Sequence, residues 1–75
     1  MTFREAWIEQ ANKQPRLKKA RMLAAAKNPK VMKRLEQLAR DREGLSATDK
    51  LDAGKLDWSA FLKAILPLLL QIFGL

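Results

Sequence analysis

Asn28-Pro29-Lys30-Val31-Met32-Lys33-Arg34-Leu35-Glu36-Gln37-Leu38-Ala39-Arg40-Asp41-Arg42-Glu43-Gly44 reads as one amphipathic helix with a start and a stop. Asn28 can cap the first free backbone N–H groups, and Pro29 fits the first turn, where no N–H partner is needed. At helical spacing Val31, Met32, Leu35, Leu38 and Ala39 fall within an arc of about 120°. Lys30, Lys33, Arg34, Gln37 and Arg40 take the other side. Gly44 suits the left-handed position just past a helix end, with Leu45 placed for the apolar contact that follows such caps. This stretch sets the fold class. A helix over 29–43 with one apolar face must pack on other helices.

Upstream, residues 16–27 favour helix by propensity but sort poorly into faces. Leu17, Ala20, Leu23 and Ala24 make a modest apolar side, while Arg16, Lys18, Lys19, Arg21 and Lys27 are spread around the cylinder. Pro15 separates this segment from an earlier helix over 3–14. Thr2 and Glu5 have the spacing of a capping box for that first helix. Phe3, Trp7 and Ala11 share one side of it, and the two aromatics are expected in a core.

Downstream, Ser46 and Asp49 have the spacing to cap a short helix over 47–53, ended by Gly54. Asp57 is a suitable N-cap for a last helix over 58–73. Trp58, Phe61, Leu62, Ile65, Leu66, Leu68, Leu69, Leu70, Ile72 and Phe73 cover most of its circumference, and Leu75 follows. A narrow stripe of Ser59, Lys63 and Gln71 interrupts them. Pro67 falls in that stripe, so the carbonyl of Lys63, which loses its N–H partner, faces the polar side. The expected fold is all-α: a small bundle of three main helices plus a short one, the last helix highly apolar. The chain divides into a basic helical region, 1–57, and an apolar helix, 58–75.

Charge bounds the partners. The chain of 75 residues carries 15 Lys and Arg against 8 acids, a net +7. Eleven of the bases lie in residues 13–42, and no acid occurs from Gln10 to Leu35. Such an excess points to a polyanionic partner, an anionic membrane or nucleic acid. The candidate polyanion-binding residues are Arg16, Lys18, Lys19, Arg21, Lys27, Lys30, Lys33, Arg34 and Arg40. Sequence-specific DNA reading is the weaker option. The Asn28-Pro29 junction is too short for the turn of a helix–turn–helix.

Catalysis is not expected. His, Cys and Tyr are absent, and Ser46, Ser59, Thr2 and Thr48 occupy capping or stripe positions. No cofactor is expected either, because no glycine-rich phosphate loop occurs, and Asp49 with Asp52 falls short of a hard-cation site. The opening residues Met1 to Trp7 lack the pattern of a secretory signal, so synthesis in the cytosol is the expectation.

The last helix carries the strongest signal. Ten large apolar residues between 61 and 75 contribute on the order of 15–30 kcal/mol when buried, before entropy costs. A patch of that size must be covered. Crossing a bilayer is strained, since 58–75 as a helix reaches about 27 Å against a hydrocarbon core of about 30 Å. The carboxylate of Leu75 would also have to cross. Lying in the membrane interface, packing in the chain's own core and joining a second copy remain open. A chain this small without disulfides commonly relies on such association. The function these features suggest is a non-enzymatic accessory or assembly protein. It would dock a basic face on a polyanionic surface and bury its apolar helix in a membrane or a partner. Membrane-associated proteins and components of assembled particles such as virions are both built this way. The competing reading is a nucleic-acid-binding protein that oligomerises through the last helix.

Overall fold

The computed structural model describes residues 2–46 and 48–73, the last two by backbone alone. Four helices follow one another: α1 (Phe3–Ala11), α2 (Arg16–Ala26), α3 (Pro29–Arg42) and α4 (Trp58–Phe73). The fold is all-α, as the periodicity requires.

Local chemistry accounts for the boundaries. At the start of α1 the Glu5 N–H donates to Thr2 Oγ1 at 3.1 Å, and the Thr2 N–H donates to Glu5 Oε1 at 3.0 Å, a complete capping box. The helix stops at Ala11 rather than at residue 14. Pro15 disfavours helical geometry in the residue before it. The chain therefore tightens, with Lys13 and Gln14 donating to the carbonyls of Gln10 and Ala11. Asn28 Oδ1 accepts from the N–H groups of Lys30 and Val31 at the head of α3. At its tail Gly44 adopts a φ of +69°. The Gly44 N–H reaches the Asp41 carbonyl, and the Leu45 N–H reaches that of Arg40, the two bonds of a Schellman cap. Asp57 Oδ1 accepts from the Ala60 N–H at 3.2 Å and opens α4.

The expected short helix over 47–53 does not form among the described residues; Ala47 lies outside them. Asp49 accepts from the Ser46 N–H at 2.9 Å, and Asp52 from the Gly54 N–H at 3.0 Å. These carboxylates satisfy turns, and a turn stabilised in this way competes with helix. Arg40 fastens the segment to α3 by donating to the Asp49 carbonyl.

One core joins all four helices. Trp7, Met22, Leu35, Phe61 and Leu69 are its largest fully buried side chains. Phe3 and Trp7 from α1 meet Trp58 and Phe61 from α4, with ring centroids 5.5–6.2 Å apart between Phe3 and the α4 rings and 6.2–6.5 Å between Trp7 and the same rings. Tilted and edge-on geometries of this kind suit the ring quadrupoles. Both indole N–H groups find acceptors: Trp7 Nε1 donates to the Met22 carbonyl and Trp58 Nε1 to the Ala53 carbonyl, each at 2.8 Å. Alanines at 6, 11, 25 and 26 keep α1 and α2 close. Arg4 Nε then reaches the Ala26 carbonyl at 3.1 Å, placing a cation at the negative end of α2. The radius of gyration is 11.5 Å, close to the roughly 11 Å expected for a compact chain of this length.

A candidate anion-binding groove between α2 and α4

The packing of α4 decides which of its apolar side chains remain available. Trp58, Phe61, Leu62, Ile65 and Leu69 are buried in the chain's own core. Leu66 and Leu68 pack partly against it. Leu70 is 54% exposed. The side chains of Ile72 and Phe73, and all of Leu75, lie outside the described residues. Five of the side chains expected to enter a membrane or a partner are therefore occupied internally. Among the described residues, no helix is long and apolar enough to cross a membrane.

The nine candidate bases are split by the fold. Lys18 and Arg21 of α2 line a groove of about 570 Å³ facing α4. Lys33 lines a different groove, of about 320 Å³, together with Phe3 and Arg4 of α1 and with Glu36. Arg40 is engaged with the Asp49 carbonyl and pairs with Glu36 at 3.7 Å. Lys19 is half-buried, and Arg16, Lys27, Lys30 and Arg34 are exposed.

The α2–α4 groove has a consistent chemistry. Its floor is Leu62, Leu66, Pro67 and Leu70, and its lips carry Lys18, Arg21 and Lys63 with Gln14 and Ser59. No acidic side chain lines it. The other two grooves mix charge signs: Glu36 sits with Lys33 in one, and Glu43 and Asp52 sit with Lys50 and Lys55 in the other. The one ion pair found among the described residues, Arg40–Glu36, lies elsewhere. Arg21 and the two lysines thus face the groove without a neutralising carboxylate. Pro67 has no N–H, so the Lys63 carbonyl, on the same side of α4, lacks its intrahelical donor.

The acids with shifted ionisation lie away from the groove. Glu5 is held below the usual glutamate range mainly by hydrogen bonds from Thr2. Asp49 is held below the usual aspartate range mainly by hydrogen bonds from Ser46, with Arg40 assisting. Both serve caps or turns.

Sequence reasoning did not find Gln14 and Lys63 as parts of this groove, nor the exposure of Leu17 beside it in the chain, nor Arg4 as the base that closes α2. Leu17 left a signal. It is a large apolar residue among bases on a helix without a clear face, and it is 76% exposed. In α2 it directly precedes Lys18 and sits four residues before Arg21, outside the residues that line the groove. Such an arrangement can hold an anion beside an apolar chain. In comparisons with known families, characterised proteins and solved structures, nothing matches this chain.

Proposed function

We propose that this chain is a non-enzymatic docking module that attaches to anionic membrane surfaces through α2 and the outer side of α4. One observation carries the reading: three bases from two helices stand over an apolar floor, with no acid among the lining residues. Each base near an anionic surface contributes about 1 kcal/mol. Leu17 and Leu70 flank these bases with apolar surface already exposed to water, which insertion into the headgroup boundary would cover. Attachment of this kind needs no crossing helix.

Nucleic acid would use the bases but not the leucines. Sequence-tolerant binding of single strands relies on exposed aromatic rings, whereas the aromatic side chains among the described residues, Phe3, Trp7, Trp58 and Phe61, are all buried. The apolar groove therefore favours lipid.

Flotation with vesicles tests the proposal. The protein should rise with vesicles containing phosphatidylglycerol, less so at raised salt, and stay behind with pure phosphatidylcholine. Failure to float with anionic vesicles, combined with duplex binding that weakens steeply with salt, would replace this reading by the nucleic-acid one.

A further inference from the structure

We infer that the α2–α4 groove binds a single anionic phospholipid molecule, with the phosphate among Lys18, Arg21 and Lys63 and one acyl chain along Leu66, Pro67 and Leu70. This inference deepens the membrane-docking proposal and rests on it. A flat basic face would attract a bilayer through its average charge. A groove that brings three cations together above an apolar floor does more, because it matches the two ends of one lipid.

The groove's chemistry selects among headgroups. Arg21 offers a planar fork of donors suited to two phosphate oxygens, while the lysines act as point charges. Ser59 adds a hydroxyl at the lip, and the Lys63 carbonyl is an acceptor left without its helical donor. A headgroup with hydroxyls beside its phosphate, such as phosphoglycerol, can therefore both accept and donate. A choline headgroup offers no donor and brings a cation among three others. The groove volume of about 570 Å³ lies within the range of small-molecule sites, roughly 300–1,000 Å³, which are mostly apolar with a few placed polar groups.

The experiment uses monomeric lysophosphatidylglycerol below its micelle-forming concentration, so that no bilayer is present. It is titrated into the full chain and followed by amide NMR shifts. Saturable one-to-one binding is expected, with the largest shifts at Lys18, Arg21, Ser59, Lys63 and Leu70. Glycerol phosphate, which lacks the chain, and lysophosphatidylcholine, which lacks the net charge, should each bind at least tenfold more weakly. The double variant Lys18→Gln/Arg21→Gln removes two charge-assisted contacts to the phosphate and should weaken lysophosphatidylglycerol binding by at least about tenfold, while leaving lysophosphatidylcholine binding near its original value. Leu70→Ser, at a half-exposed position that folding tolerates, should weaken both lipids. Equal affinity for the two lysolipids, or shifts scattered over the surface without saturation, would overturn the inference. Flotation on anionic vesicles without monomer binding would overturn the groove site and leave membrane docking standing. Monomer binding without flotation would do the reverse.

Discussion

Helices α2 and α3 are neighbours in the chain, have 11 and 14 residues, and are both rich in Lys and Arg. They use those residues differently. In α3 the apolar side chains go to the core, both ends are capped, and Arg40 is tied to the segment that follows. In α2 burial is confined to the second half, at Met22, Ala25 and Ala26. Its first half leaves Arg16, Leu17, Lys18 and Ala20 in solvent, and no side chain caps its start. The contrast separates two reasons for a basic helix. Where the large apolar residues are buried or packed against the core, as in α3, the bases are the solvated side of a structural element. Where a leucine stays in water between bases, as Leu17 does in α2, the helix suits the proposed docking role. Local disagreement of this kind is expected at functional surfaces.

The largest test of the contrast compares two leucines. Leu35 of α3 is fully buried, while Leu17 of α2 is mostly exposed. Leu35→Ala should cost about 2–5 kcal/mol through lost burial and the cavity left behind. That is much of the total for a chain this length, roughly 4–11 kcal/mol. Leu17→Ala should change stability by less than about 0.5 kcal/mol, yet reduce vesicle binding. Urea unfolding followed by tryptophan fluorescence measures the first effect, since both indoles are buried. If the two variants were equally unstable, the distinction between the helices would collapse.

Next in size is a comparison at constant net charge. Lys18→Gln/Arg21→Gln and Lys30→Gln/Arg34→Gln each remove two positive charges. The first pair lies in the groove; the second belongs to the exposed side of α3. Partitioning onto anionic vesicles should fall by about 2 kcal/mol for the first pair, near thirtyfold, and by clearly less for the second. Equal losses would mean that the protein is held by net charge alone, with no role for the groove.

A smaller effect separates the helix starts. Asn28→Ala removes the acceptor for the Lys30 and Val31 N–H groups and should cost about 1 kcal/mol, measured as a lower urea midpoint. No equivalent change exists at the start of α2, which has no side-chain cap to lose.

The same contrast explains what could be read from the sequence. Helix α3 was legible throughout, because Asn28, Pro29, the apolar arc and Gly44 are local signals that agree with one another. Asp57 and the Thr2–Glu5 pair were legible for the same reason. The inner side of α4 was not. Its residues are apolar almost all round, so periodicity offers little contrast from which to tell Ile65, which is buried, from Leu70, which is not. The groove was illegible because Gln14 and Ser59 are brought together only by tertiary packing across 45 positions of the chain. At 47–53 the pairing of Ser46 with Asp49 was read correctly, but its outcome was not. The same hydrogen bond that opens a helix also closes a turn, and the sequence does not distinguish the two.

Acid also separates the two regions. The groove is lined by Lys18, Arg21 and Lys63, with no carboxylate among its side chains. The turn that Arg40 fastens to α3 does contain an acid-sensitive group. Asp49 has a folded-state pKa below its ordinary value, so its contribution is fully present above that value, near pH 4. It is lost as pH falls through the depressed one. Protonation weakens acceptance from the Ser46 N–H and removes the charge near Arg40. In an amide NMR titration the Ser46 resonance should therefore move with a midpoint below that of ordinary aspartate. The amides of Leu17 and Leu70 should stay in place through the same range. Asp49→Asn should abolish the Ser46 titration while leaving vesicle binding at neutral pH unchanged, because Asp49 has no part in the groove. Movement of Leu17 and Leu70 with the Asp49 midpoint would show that the two basic helices respond as one unit, and the division of labour between them would fail.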